Sequence, residues 1–195
     1  MFRIIVKKLF FLSLIILLGS CGKKYPHALI ITKTDTIELE LYTDKAPVTT
    51  ENFMRYCEEG RYKNSSFYRA LRPDNQPDNE IKIEVLQGGL KDDYHPLMLP
   101  PIAHETTLET GILHEDGVIS MARNEPGTAS SEFFICIGDQ PSLDYGGKRN
   151  PDGKGFAAFG RVIKGMRAVR KYQQMKTVGQ YLDPPVRILD IVLIK

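Results

Sequence analysis

Residues 130–138 read SSEFFICIG. A short apolar run bounded by serines and a glycine reads as a buried strand. Strand side chains alternate between faces, so Glu132, Phe134 and Cys136 share one face and Phe133, Ile135 and Ile137 the other. A carboxylate two residues from a phenylalanine on the same face marks a surface that is part apolar and part polar. That is the composition of a candidate site.

Working outward, strand patterns recur at ALIIT (28–32), TIELELY (36–42), SFYRAL (66–71), IKIEVLQ (81–87), GVISMAR (117–123), FAAFGRVI (156–163) and VRILDIVLI (186–194). Two stretches have helical spacing. In APVTTENFMRYCEEG, Pro47 suits a first turn, Phe53, Tyr56 and Cys57 form a stripe, and Gly60 suits the C-terminal end. In GMRAVRKYQQM (165–175), Met166, Val169, Tyr172 and Gln173 define a face. About eight strands and two helices, without repeats or βαβ alternation, predict an antiparallel sandwich or a closed barrel with helices over its ends. Residues 90–116 show no element of their own and are expected to be functional or packed against the domain. The segment YGGKRNPDGKG (145–155) reads as turns that either border the site or stand in solvent.

The N-terminus has a different character. Arg3, Lys7 and Lys8 precede LFFLSLIILL, and LLGSC ends at Cys21. This is the plan of a signal peptide over residues 1–20 and resembles the lipobox of bacterial lipoproteins, with Cys21 as the lipid attachment. The alternatives are an uncut anchor, or an ordinary signal followed by a chance cysteine. On the lipoprotein reading, residues 21–27 form a short tether after the lipidated cysteine and residues 28–195 the domain. The protein is then bound to a membrane of the bacterial cell envelope through its lipid, with the domain in the periplasm. Removing residues 1–20 takes away three basic groups and no acid, so the formal charge of +2 becomes −1. Nothing in that balance points to nucleic acid. The remaining 175 residues suit one domain. Cys57, late in a helix, and Cys136, mid-strand, are expected as two buried free thiols rather than a disulfide. His95, His104 and His114, with Asp92 and Asp93, lack the short ligand pairs typical of zinc sites. They are expected to be solvated loop residues, with no metal and no cofactor.

Four segments together, SSFYRAL, VLQGG, ISMARNEPGTASSEFFICIG and GFAAFGRVIKGMRAV, resemble the signature segments of cyclophilin-type peptidyl-prolyl cis-trans isomerases. The resemblance spans about residues 28–195. It implies a closed eight-stranded antiparallel β-barrel capped by two α-helices, a monomer, and cofactor-independent isomerisation of X–Pro bonds in proline-containing polypeptides. Arg69 matches the family's catalytic arginine, and strand alternation places Phe67 and Arg69 on one face. The substrate-binding positions implied are Gln87, Ala122, Phe134, Leu143 and Phe156, and Gly88 and Gly89 match a glycine pair.

Several positions depart from the family pattern. Glu132 stands where glutamine is usual, and a carboxylate there is expected to pair with Arg69, either orienting it or holding it from substrate. Glu84 and Val85 fall where phenylalanine and methionine are usual; alternatively a bulge shifts the register and Ile83 or Val85 forms the wall. Arg123 replaces a common asparagine. The chain has no tryptophan, and Ser142 stands at the family's tryptophan position before Leu143, which implies weak cyclosporin binding. Two functions follow: an isomerase assisting exported proteins at the bacterial envelope, or a weakly active binding module that grips proline-containing segments.

Overall fold

The computed structural model describes residues 25–92 and 94–194. Nine strands are formed: β1 (His27–Thr32), β2 (Thr36–Leu41), β3 (Ser66–Leu71), β4 (Val85–Gly89), β5 (Val118–Met121), β6 (Phe133–Cys136), β7 (Ala157–Lys164), β8 (Thr177–Val178) and β9 (Tyr181–Ile194). Three helices accompany them: α1 (Pro47–Glu58), α2 (Thr107–Thr110) and α3 (Met166–Gln173). Every pairing is antiparallel, in the order β1-β2-β7-β5-β6-β4-β3-β9, and β9 pairs back onto β1. Eight strands therefore close into a barrel without an open edge. The two-residue β8 only extends β9.

The alternation in residues 130–138 sorts the molecule into two apolar clusters. Phe133 and Ile135 turn into the barrel interior with Phe53, Tyr62, Phe67 and Phe159. The rings there meet edge-to-face or tilted, Phe53 lying 5.7 Å from Phe133 and 5.1 Å from Phe159. Phe134 and Cys136 turn outward and join Leu71, Ile83, Val85 and Leu143. The helices complete the interior: α1 contributes Phe53 and Tyr56 against β7 and β9, and α3 contributes Val169 and Tyr172 against β2, β3 and β4.

Three local expectations are corrected. Strand β3 carries a bulge between Phe67 and Arg69 in both of its pairings, so these two residues do not share a face. Phe67 is in the interior, while Tyr68 and Arg69 both reach the outer groove. Residues 81–84 do not enter the sheet, because Gln76, fully buried, bonds both the carbonyl and the N–H of Ile83 and holds residues 76–83 as a packed loop. A third helix, α2, forms within 90–116 on a capping box: Thr106 N–H donates to Glu109 Oε2 at 2.8 Å while Thr106 Oγ1 accepts from Glu109 N–H. The rest of that segment is packed against the domain, with Leu99 N–H donating to Tyr56 and Ile102 N–H to the Ala129 carbonyl.

Cys57 and Cys136 are both buried and unpaired, and burial pushes both thiols far above their ordinary range. The expected tether shortens, because Tyr25 packs edge-to-face on Tyr42 at 5.1 Å and the Pro26 carbonyl accepts from Leu41 N–H at 3.0 Å. The expected signal peptide and Cys21 lie outside the described residues. No helix among the described residues is long and apolar enough to cross a membrane.

Candidate functional site

On the outer face of β3, β4 and β6 lies a groove of about 460 Å³ with an apolar half and a polar half. The apolar half is the outer cluster: Leu71, Ile83, Val85, Phe134 and Leu143 are buried, with Ala122 and Phe156 packed against them. Phe134 and Phe156 meet edge-to-face at 5.3 Å. Behind Phe134, the His114 ring lies nearly parallel at 6.0 Å. Its Nδ1 stands 2.7 Å from Asp144 Oδ1 and its Nε2 3.0 Å from Ser120 Oγ. His114 is therefore a buried support of the apolar wall and not a solvated loop histidine.

Glu84 is not part of the groove. Its N–H donates to Gln140 and its carbonyl accepts from Ile137, and the wall at this point is Ile83 and Val85. The loop held by Gln76 delivers Ile83 to the pocket, which is the shifted register rather than the direct count back from Gln87. No buried carboxylate faces the apolar pocket from that position.

The polar half is a directed chain of hydrogen bonds. Arg69 donates from Nη1 to Gln87 Oε1 at 3.1 Å and from Nε to Gln180 Oε1 at 3.0 Å, and Nη2 donates to the same Gln180 oxygen. Of its five N–H groups, two have no partner among the described residues. Gln87 Nε2 donates to the Tyr68 hydroxyl at 2.8 Å, and that hydroxyl donates to Glu132 Oε2 at 2.5 Å. Glu132 Oε1 accepts from Lys91 N–H at 2.9 Å and Ser131 Oγ at 3.0 Å. Burial raises the Glu132 carboxyl above the usual carboxylate range, with these donors acting in the opposite direction. Burial and then the neighbouring Glu132 push the Tyr68 phenol well up. Gly89 makes room for the arrangement: its φ is +143°, and a Cβ there would stand 2.5 Å from Glu132 Oε1. The expected Glu132–Arg69 pair is not formed among the described residues; Tyr68 and Gln87 stand between them.

Arg123 lines the groove with its side chain fully buried, forking onto Asp152 at 2.7 and 2.9 Å and onto the Gly155 carbonyl. Its guanidinium lies 5.3 Å from the Phe156 ring centroid. Arg123 holds the Asp152 carboxyl down to about 2. This pins residues 145–155, and Arg149 and Asn150 of that segment line the groove rather than standing in solvent. His104 bonds the Lys154 carbonyl, while His95 accepts from Leu97 N–H. No group of three or more potential metal ligands occurs among the described residues, and Asp93 lies outside them.

Of the ten groove positions the sequence points to, the structure brings Arg69, Val85, Gln87, Ala122, Arg123, Glu132, Phe134, Leu143 and Phe156 to one groove and leaves Glu84 outside it. It adds Gln180, Arg149, Asn150 and His114. His114 drew notice in the sequence as a candidate metal ligand, Arg149 and Asn150 only as part of the 145–155 segment that could border the site, and Gln180 not at all.

Residues 27–193 match the family described as cyclophilin type peptidyl-prolyl cis-trans isomerase/CLD. Peptidyl-prolyl cis-trans isomerase A of Dickeya dadantii is 35% identical over 163 residues, 82% of this chain and 78% of that protein. Peptidyl-prolyl cis-trans isomerase B of Escherichia coli is 31% identical over 162 residues, 79% of this chain and 89% of that protein. A crystal structure of a Cryptosporidium parvum cyclophilin-type isomerase, determined in the presence of the dipeptide Ala-Pro, superposes with a TM-score of 0.69 at 21% identity, covering 87% of this chain and 99% of that one.

Proposed function

The chain belongs to the cyclophilin-type peptidyl-prolyl cis-trans isomerases, and we propose that Arg69 is the group through which it catalyses rotation about X–Pro bonds. The barrier to that rotation, about 18–20 kcal/mol, comes from amide resonance. As the bond twists, the proline nitrogen regains its lone pair and becomes an acceptor. A donor that binds the twisted amide better than the planar one lowers the barrier, by a factor of ten in rate for each ~1.4 kcal/mol. Arg69 supplies such a donor, because two glutamine oxygens hold it in place while two of its N–H groups are left for substrate. That geometry, beside the apolar half of the groove, is the observation that carries the reading. Leu71, Ile83, Val85, Phe134 and Leu143 hold the proline ring, and the guanidinium keeps its charge at any physiological pH.

The test is prolyl cis/trans exchange on a short X–Pro peptide, using the chain from Gly22 onward and an Arg69→Ala control. Acceleration that falls by orders of magnitude in a folded control supports the reading; equal rates in the two proteins overturn it. The weak-binder alternative rested on carboxylates in the pocket. Glu84 lies off the groove and Glu132 is turned to Tyr68, which favours the enzyme.

The same reading extends to cellular place. A lipidated Cys21 tethers the monomeric domain to the envelope, where it acts on exported proteins. The motif LLGSC supports this, and so does the docking of Tyr25 on the barrel. Only residues 22–24 would then separate lipid from fold, a span of about 10 Å. Mass spectrometry of the membrane-bound protein should find a chain that begins at Cys21 and carries acyl chains on it, a modification absent in Cys21→Ser; an unmodified Cys21 would reject the anchor.

A further inference from the structure

The groove carries more positive charge than isomerisation of a neutral peptide needs. Arg69, Lys91, Arg123 and Arg149 all line it, and only Arg123 is neutralised by a carboxylate among the described residues. Arg69 is held by neutral amides, and Lys91 lies over the rings of Tyr68 and Tyr181. Arg149 donates to the Ile81 carbonyl. The lining carboxylate, Glu132, is buried and occupied by Tyr68, Ser131 and the Lys91 backbone. Arg149 is placed by its segment: its N–H donates to the Ser142 carbonyl, and the Arg123–Asp152 fork fixes the loop behind it. Since Ile81 is two residues from the pocket wall at Ile83, the Arg149 head stands at the rim of the apolar pocket. Burial and the charge of Arg69 both disfavour its charged form, and no carboxylate among the described residues pairs with it. Beside it in the chain, Asn150 Nδ2 is a buried donor with no hydrogen-bond partner among the described residues.

We propose that Arg149 and Asn150 form an acidic-residue subsite, which receives the carboxylate of an aspartate or glutamate adjacent to the substrate proline. The proposal rests on the isomerase reading of the groove and deepens it. With the proline ring in the apolar pocket, the side chain of its neighbour reaches the rim. There a carboxylate accepts from the planar guanidinium and from the Asn150 amide together, satisfying the two donors left open. The enzyme then prefers X–Pro bonds in acidic segments, selected by the 145–155 loop.

The experiment measures kcat/KM of the full chain on a peptide series with Glu, Gln, Ala or Lys placed before or after the proline. Glu is expected to exceed its neutral isostere Gln by about tenfold at one of the two positions, mostly through KM. That ratio should fall to about one in Arg149→Gln and stay unchanged in Arg170→Gln, which removes a surface arginine outside the groove. Raising salt from 50 to 500 mM should erode the Glu preference in the unaltered protein, a readout independent of any variant. Equal rates for Glu and Gln at both positions, or a preference that survives Arg149→Gln, would overturn the subsite. Titration of the same peptides by calorimetry keeps the two readings apart. A Glu-over-Gln difference in affinity without turnover sinks the isomerase reading and supports the subsite, while turnover without that difference does the reverse.

Discussion

The Tyr68 hydroxyl stands 2.5 Å from Glu132 Oε2. An ionised carboxylate can only accept, so the phenol donates to it and must accept from Gln87 Nε2 at 2.8 Å. That settles the orientation of the Gln87 amide and turns its oxygen toward Arg69, 3.1 Å away. Glu132, which faces Arg69 in no direct contact, therefore sets the direction of the hydrogen bonds that hold it. The carboxylate at a position where the family usually has glutamine acts at a distance of two side chains.

Tyr68→Phe tests that chain. It leaves Glu132 buried with one donor fewer and frees the Gln87 amide to turn its N–H groups toward the guanidinium. A lost hydrogen bond to a charged group is worth about 1.5–3 kcal/mol, and part of this should appear in the transition state. The expectation is a fall of about tenfold in kcat with KM little changed. A rise confined to KM, with kcat unchanged, would instead make Tyr68 a simple substrate contact.

Glu132 also writes a pH dependence into stability. Its folded pKa is raised by burial, so between the unfolded and folded values the native state holds a proton that the unfolded chain has released. Stability is then greatest below the unfolded pKa, about 4.3, and declines as pH rises through the folded value. Glu132→Gln removes this group from the balance. Urea midpoints of the two proteins should diverge as pH rises from about 4 to 7, with the variant gaining relative to the native chain. Parallel curves would show that the carboxyl is not raised.

Much of this site was legible because it depends on strand alternation. The split between Phe133 and Phe134 follows from the period of a strand, and both side chains went where that period sends them. The same rule failed in β3, where a bulge inserts one residue and moves Arg69 off the face of Phe67. It failed again before β4, where Gln76 holds the preceding loop and delivers Ile83 in place of Glu84. Neither event leaves a composition signal, because each is decided by partners distant in sequence. Gln180 was invisible for a related reason: a polar residue after Gly179 reads as an ordinary turn, and only the β8–β9 connection brings it to Arg69, 111 residues away. The box of Thr106 and Glu109 that starts α2, by contrast, was present in the sequence and passed over inside a long loop.

Gly89 and Gly179 separate crowding from backbone strain. Both have positive φ, +143° and +59°, but a Cβ at Gly89 meets the Glu132 carboxylate at 2.5 Å, while one at Gly179 meets nothing within 4 Å. Gly179→Ala should cost about 1–2 kcal/mol, the left-handed penalty alone. Gly89→Ala should cost more and lower activity as well, because Glu132 must shift and the bond to Tyr68 goes with it. Thermal melts and exchange rates on both variants decide the matter; equal losses would show that the carboxylate yields without effect.

Cyclosporin offers a test of the groove's other rim. The family's tryptophan position is Ser142, in the short 3-10 turn Pro141–Leu143. With Leu143 fully buried behind it, the turn presents no broad apolar face. Arg149 N–H bonds the Ser142 carbonyl, so the rim that would meet the drug's apolar surface is flanked by a guanidinium and the Asn150 amide. Covering the Arg149 guanidinium with the apolar side chains of a macrocycle strips water from a charge, and side chains of that kind return no acceptor to it. Calorimetry is expected to find no submicromolar affinity. Ser142→Trp should tighten binding by supplying the missing aromatic area, and Arg149→Ala should tighten it further by removing the charge. If the first substitution restores affinity and the second adds nothing, Arg149 lies clear of the bound ligand, and the rim is defined by Ser142 alone.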